Sequence, residues 1–564
     1  MEKRLIAFVV ISLIIIFTYP FVLTWLTGPP PPVTSSSVNT DQSEKNSKKT
    51  EAPSTPIEDI EAEEKTFNGK SAGETHATGD TTNARTSRKE DRELEEITKV
   101  IETDLYRVTL SNIGGTIKQW ELKKYTETIE EKEEEIQLIS PDIRQYPLSL
   151  SGSDQPALGK NIYSFDDTPL QLSENVPQGT VKMVFNGPEG RKISKEIRFY
   201  NDQYRVDLKI ETDGVVQPLT LSLGTNFGIH DWGLQIGRNG GGITLLGSEV
   251  LRDTPGKMEV DEVVHEGNAK WFALQDKYFI SALIPSENVS LGPITFRKKG
   301  EEKISAEVLL GKNDANGVHR FSLYAGPKEY DRLSALNVNL DESIDFGWFI
   351  SGSWLPVRLI AKPIFYLLRF FYGFTHNYGV AIILVTIMVK VIFFPITRKS
   401  MKSMKEMSAL QPKIAEIRKK WAKDKEKMNL ELMGIYKKEK VNPLGGCFPM
   451  LIQIPVFISL YNILYTIIDL RHAPFFLWVT DLSAKDPYYV LPIVMGGTMF
   501  LQQYMQPTTM DSTQAKVMQF LPVIYTYFFL DFPSGLVLYW LVNNLLTIGQ
   551  QYLINKDTPP LSKA

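Results

Sequence analysis

Tyr378-Gly379-Val380-Ala381-Ile382-Ile383-Leu384-Val385-Thr386-Ile387-Met388-Val389-Lys390-Val391-Ile392-Phe393-Phe394-Pro395-Ile396 is an apolar run broken by a single charge. At about 1.5 Å per residue it crosses a hydrocarbon core roughly 30 Å thick and reads as a membrane span. Lys390 stands deep within it, about 12 Å along the helix from Arg398. A charge at that depth needs a reason. Two readings stand side by side: the long stem snorkels to the interface, or the ammonium faces a wet cavity between helices. Thr386 lies one turn earlier on the same face.

Beyond this run, residues 397–442 carry 14 Lys and Arg against 6 Asp and Glu, a net of +8. Such a basic loop stays on the cytoplasmic side. Further apolar runs at 448–468, 489–505, about 520–530 and 536–553, together with 5–26 near the N-terminus, bring the expected spans to six. The apolar region 517–548 is too long for one span and is interrupted by Asp531-Phe532-Pro533-Ser534-Gly535, where Pro533 and Gly535 dictate a tight hairpin. The fifth helix is therefore expected to be short, roughly 11 to 15 residues, and to thin the bilayer beside it.

The N-terminal run follows Lys3 and Arg4, which hold the first residues in the cytoplasm. Thr27-Gly28-Pro29-Pro30 lacks a small-x-small cleavage site, so residues 1–27 read as a retained anchor. Residues 28–96 are Pro, Ser, Thr, Glu, Lys and Gly with almost no large apolar side chain, a disordered tether. Across 97–345 the texture turns to strand alternation: Ile193, Ile197 and Phe199, the turn Asn201-Asp202, then Tyr204, Val206, Leu208 and Ile210 spell a hairpin. Similar patterns around 106–125, 219–227 and 272–283 predict a large all-β sandwich, outside the cell membrane in the periplasm. Residues 346–376 are expected to lie in the membrane interface, because Arg358, Lys362 and Arg369 fall within about 40° of one another on a helix. The five-helix remainder is 377–554, including a cytoplasmic helical hairpin at 398–441, and 555–564 is a short cytoplasmic tail.

The net charge of -4 offers no electrostatic reason for a nucleic-acid partner. Cys447 stands alone, which excludes an internal disulfide and a cysteine-rich zinc site, and the six histidines show no ligand spacing. No metal, cofactor or catalytic set is expected. In the hairpin, Met401, Met404, Met407, Leu410, Ile414, Ile417 and Trp421 recur at helical spacing, followed by Met428, Leu432 and Ile435. This stripe either packs the hairpin against itself or captures an apolar segment through pliable methionines. On the last span Trp540, Asn543, Thr547 and Gln550 line up at helical spacing, as if to wall a hydrophilic groove with Lys390.

The run Val441-Asn442-Pro443-Leu444-Gly445-Gly446-Cys447-Phe448-Pro449-Met450-Leu451-Ile452-Gln453-Ile454-Pro455-Val456-Phe457 carries the most specific pattern. Pro443, Gly445 and Gly446 stop a helix and turn the backbone sharply, and Pro449 sits near the first turn of the next span. With Leu482-Ser483-Ala484-Lys485-Asp486-Pro487-Tyr488-Tyr489, Gln506-Pro507-Thr508-Thr509 and Phe532-Pro533-Ser534-Gly535-Leu536-Val537-Leu538-Tyr539, this run resembles the YidC insertase family. Ser111-Asn112-Ile113-Gly114-Gly115-Thr116-Ile117 adds a weaker match in the β region. The resemblance implies a Gram-negative inner-membrane insertase that works alone or beside the Sec translocon on nascent membrane proteins. It implies an open bundle whose cavity faces lipid and cytoplasm, with a positive charge at position 390, and with Thr386 and Trp540 touching the passing segment. Family members commonly carry arginine where this chain has Lys390, which keeps the charge and loses the planar fork. The resemblance also implies a supersandwich like that of galactose mutarotase-like proteins for the β domain. Acting as a monomer is expected, and the tail, with Lys556 and Lys563 alone, offers few charges for a ribosome. Two rivals are weighed. A coupled transporter calls for carboxylates at the membrane midplane, whereas Asp469 and Asp531 lie at span ends. A membrane-tethered sugar enzyme calls for a paired acid and base, and His230 and His265 stand isolated.

Overall fold

In the computed structural model the described residues are 95–126, 134–140, 145–152, 156–215, 218–230, 240–286, 291–300, 302–310, 317–349, 352–439, 441, 448–505 and 512–557. The expected N-terminal anchor, nearly all of the tether, Pro443, Gly445, Gly446, the motif 506–509 and most of the C-terminal tail lie outside them.

Alternating apolar residues build the N-terminal half into sheets. The largest has eight antiparallel strands, from one edge Glu249–Asp253, Gly241–Leu246, Ala269–Gln275, Phe279–Pro285, Val318–Pro327, Arg205–Asp213, Lys192–Tyr200 and Gln178–Asn186. The expected hairpin is present, with Ile197 opposite Leu208. A five-stranded sheet of Glu262–His265, Leu291–Lys299, Lys303–Leu310, Leu219–Thr225 and Leu150–Gly152 lies over the first part of it, where Gly242 makes room for the Phe296 ring. A second five-stranded sheet runs from Glu135–Gln137 through Thr116–Thr126, Tyr106–Ser111 and Thr98–Glu102 to Leu170–Gln171. Trp120 stacks on Tyr106 and meets Phe227, which ties this sheet into the common core.

The turn 111–117 has a concrete task. Gly114 and Gly115 take left-handed φ values of 68° and 55°, which side chains disfavour. Their carbonyls then converge on Lys195, whose ammonium is buried and donates to Gly114 O at 2.6 Å, Gly115 O at 3.1 Å and Leu148 O at 2.6 Å. Lys195→Met removes three donors and strands three buried carbonyls, so the β domain is expected to lose about 3 kcal/mol. Hydrogen exchange across 192–213 in the intact chain measures this, and unchanged protection rejects the assignment.

A short helix α1 (Tyr330–Ala335) leads from the sheets to α2 (Leu355–Thr375). The latter is the expected interfacial helix. Its basic side is bound to the β domain: Lys362 donates to Glu342 at 2.9 Å and Arg369 forks onto both carboxylate oxygens of Asp331. Val357, Ala361, Ile364, Phe365 and Leu368 are buried, whereas Leu355, Leu359, Tyr366, Phe370 and Phe374 stand exposed along another face. An apolar stripe of that size on a charged helix is not left in water.

The remaining helices are α3 (Tyr378–Ala409), α4 (Gln411–Lys420), α5 (Lys425–Lys438), α6 (Phe448–Thr466), α7 (Val490–Met505), α8 (Ser512–Phe529) and α9 (Ser534–Asp557). Among the described residues α3 is long and apolar enough to cross a bilayer by the strictest reading of length and composition. Exposed apolar stripes at Ile493, Val494, Phe500, Leu501 and Tyr504 on α7, and at Phe520, Val523, Ile524 and Tyr527 on α8, follow helical spacing and face outward.

Two expectations are corrected here. The fifth span is not an 11 to 15 residue helix: α8 has 18 residues, because Ser512–Gln519 is polar yet fully compatible with a helical backbone. Nor does the hairpin begin as a separate helix near 398. α3 runs unbroken for 32 residues and stops at Leu410, where Pro412 cannot continue its hydrogen bonding and starts α4 instead. The hairpin has its own small core of Met407, Leu410, Ile414 and Val441, flanked by Leu432, Ile435 and Tyr436.

Candidate functional site

The interhelical motifs explain how the bundle is held before any site is considered. Asn377 caps α3, accepting from Val380 N and donating to Phe475 O. Asp486 is fully buried and caps α7 by accepting from the Tyr488 and Leu491 amides. Its loop receives the α8–α9 turn: Ser534 N donates to Ala484 O at 2.7 Å and Gly535 N to Leu482 O at 2.9 Å. A side chain at Gly535 would press its Cβ to 3.2 Å from the Leu482 carbonyl, so the glycine is required by that approach. Pro533, opposite Lys485 in the same bridge, completes the expected hairpin.

Near one end of α3, close packing seals the bundle. Tyr378, Ala381, Ile382 and Val385 are buried in one apolar cluster with Phe532, Leu536, Val537 and Leu538 of the α8–α9 turn and the start of α9. Thr386 belongs to this dry part. Its exposure is 1% and its hydroxyl donates back to Ile382 O at 2.6 Å, so it does not wall a groove as expected from its shared face with Lys390.

One turn further, polar groups take over. Lys390 is half-buried and donates to the Thr547 hydroxyl at 2.8 Å, while Thr547 donates to Asn543 O. Among the described residues its partner is thus a neutral hydroxyl, and no carboxylate pairs with it. The expectation of a charge with no internal partner therefore needs amending in one respect: the ammonium is positioned, though its charge is not neutralised. Gln453 donates to the Tyr539 hydroxyl at 2.7 Å and to Asn543 Oδ1 at 3.4 Å, and buried Asn544 donates to Thr498 at 3.3 Å. Side chains of α3, α6, α7 and α9 thus share one polar layer.

A cavity of about 210 Å³ opens beside it, lined by Ile387, Lys390, Val391, Phe394, Leu546 and Gln550. Ile387 and Val391 are exposed on the outside of α3, so the cavity opens sideways rather than along the bundle axis. The amide oxygens of Gln550 and Gln551 are buried without a hydrogen bond. Trp540 sits apart from this cavity, wedged between the rings of Phe457 at 4.7 Å and Phe529 at 5.2 Å. Of the expected groove residues, Lys390, Asn543, Thr547 and Gln550 come together, whereas Thr386 and Trp540 pack inward. Tyr539, Asn544 and Thr498 were not anticipated. The adjacent Asn543-Asn544 pair in an apolar span was the available signal, since helix geometry sends neighbours to different faces.

A β domain joined through an interfacial helix to an apolar bundle with a polar layer is the architecture of an inner-membrane insertase. Residues 98–367 match the YidC periplasmic domain and residues 370–561 match the 60Kd inner membrane protein family. The membrane protein insertase YidC of Syntrophus aciditrophicus (strain SB) is 38% identical over 99% of this chain and all of that protein. That of Geotalea uraniireducens (strain Rf4) is 39% identical over 82% of this chain and 87% of its own length. A crystal structure described as an active YidC insertase with its first transmembrane domain resolved is 19% identical, covering 81% of this chain and 94% of that one, with a TM-score of 0.35. The chain belongs to the YidC family of membrane protein insertases. It is an inner-membrane protein with a periplasmic β domain, and its family is not one of enzymes.

Proposed function

We propose that the polar layer and its lateral cavity receive the short hydrophilic flank of a nascent membrane segment. The observation that carries this is Lys390, a charge held in place by Thr547, unneutralised, and opening sideways to the bilayer. Six spans with both termini in the cytoplasm, the β domain outside and the basic hairpin inside follow from the charge distribution. A client docks first on the hairpin, then moves its polar tail toward Lys390, where acidic side chains are attracted and the path through hydrocarbon is shortened. Its apolar stretch slides out past the exposed faces of Ile387 and Val391 into lipid, driven by its own transfer from water. No nucleotide, metal or covalent chemistry enters. The clients are nascent membrane proteins, some presented by a ribosome or the Sec translocon and some taken up by a monomer acting alone. A photo-crosslinking side chain at Leu546, on the cavity wall, is expected to trap a stalled client, while one at Val537, in the sealed part, does not. Equal adducts from both positions refute the route.

A further inference from the structure

The largest cavity in the described residues is far from the polar layer. It has a volume of about 460 Å³ and lies where the β domain meets α2, between the turn joining Gly241–Leu246 to Glu249–Asp253, the segment 339–346 and the first turns of α2. Four cations from three parts of the chain line it: Arg252, Lys270, Arg358 and Lys362. Three carboxylates line it as well, Glu249, Glu342 and Asp345. Their bonding is uneven. Lys362 is paired with Glu342, Arg252 donates to the Glu342 and Ser343 carbonyls, and Asp345 accepts from Gly347 N. Arg358 and Lys270 make no hydrogen bond or ion pair with a described residue. The lining is therefore one positive charge in excess, and two of its cations are uncommitted.

The helix carrying Arg358 and Lys362 places these two one turn apart. Leu355 and Leu359 form a neighbouring stripe, 63% and 65% exposed. One side of the same two turns thus offers cations to a polar cavity, and the adjacent side offers bare aliphatic surface. A ligand matching both is an amphiphile with one negative charge at its head. We propose that this cavity binds the phosphate of an anionic phospholipid from the outer surface of the inner membrane, with its acyl chains lying over Leu355 and Leu359. Arg358 and Lys270 supply charge-assisted hydrogen bonds to the phosphate oxygens, and the lipid bridges the β domain to the bilayer. This rests on α2 lying at the outer membrane surface, as proposed above.

The test is native mass spectrometry of the full chain from detergent with added phosphatidylglycerol or phosphatidylcholine. The wild type is expected to retain one phosphatidylglycerol, and Arg358→Ala with Lys270→Ala to weaken that retention about tenfold. Arg358→Lys restores most of it. Neither replaced cation holds a structural bond, so thermal unfolding stays at the wild-type value. Equal retention by wild type and double variant, or phosphatidylcholine held as tightly as phosphatidylglycerol, overturns the proposal. So does displacement of the lipid by millimolar glycerol phosphate, which identifies a soluble phosphate as the ligand. Labelling of Leu355→Cys by a lipid-soluble but not a water-soluble thiol reagent, in a Cys447→Ser background, places α2 independently of the lipid.

Discussion

Lys390→Ala is expected to cut insertion of a client with an acidic translocated tail about tenfold, while the same client with a neutral tail inserts near the wild-type rate. An ion pair 4 Å apart is worth about 4 kcal/mol at the effective dielectric of a protein surface, and water in an open cavity leaves roughly 1.4 kcal/mol of it, a factor of ten. The fold loses little, because the Thr547 hydroxyl keeps its bond to the Asn543 carbonyl without the lysine. Lys390→Arg preserves the charge in a cavity of about 210 Å³ and is expected to retain activity on both clients. A lysine that only snorkels from the span predicts another pattern, with Ala tolerated or both tails impaired alike through lower protein levels. Insertion measured for paired acidic and neutral tails at matched expression separates the two.

Replacing residues 400–435 by a short Gly/Ser linker is expected to abolish client capture, lowering insertion more than tenfold for most clients. The inner methionine stripe is already used, since Met407 and Ile414 are buried in the hairpin's own core. What remains for a client is the other side, where Leu430 and Met433 stand 68% and 51% exposed among lysines. Exposed, unbranched or flexible apolar side chains suit segments of varied shape. Leu430→Ser with Met433→Ser therefore reproduces part of the loss without disturbing the core. If the linker variant crosslinks and inserts clients as the wild type does, the hairpin is a connector.

Spans and strands were legible because each is written in one period. The 3.6-residue and two-residue patterns of Trp354 to Phe374 and of Tyr204 to Ile210 report burial directly. Where a helix outruns its apolar part, as α8 does before Phe520, hydropathy stops speaking although the backbone does not. Pro412 was visible but unweighed, and it moved a helix boundary by more than ten residues. At the site, Lys390 announced itself as a charge in hydrocarbon, and Thr547 and Gln550 by their spacing. Thr386 misled because a shared helix face fixes direction within one helix but says nothing of which neighbour closes over it. Trp540 misled similarly, its partners Phe457 and Phe529 lying on other helices. The strand order and the burial of Lys195 under Gly114, Gly115 and Leu148 depend on pairings between distant residues that no local pattern encodes.

The apolar packing of Ala381, Ile382 and Val385 against Leu536 and Val537 gives the bundle an electrical property. Water reaching Lys390 from the cytoplasm meets no continuous file of polar groups through that layer, and an ion entering it would shed its hydration with nothing to replace it. A channel that admitted polypeptide along its axis would have to be gated against leakage at every cycle. A cavity open only to the side and below needs no gate, so the proton gradient across the membrane survives each round of insertion.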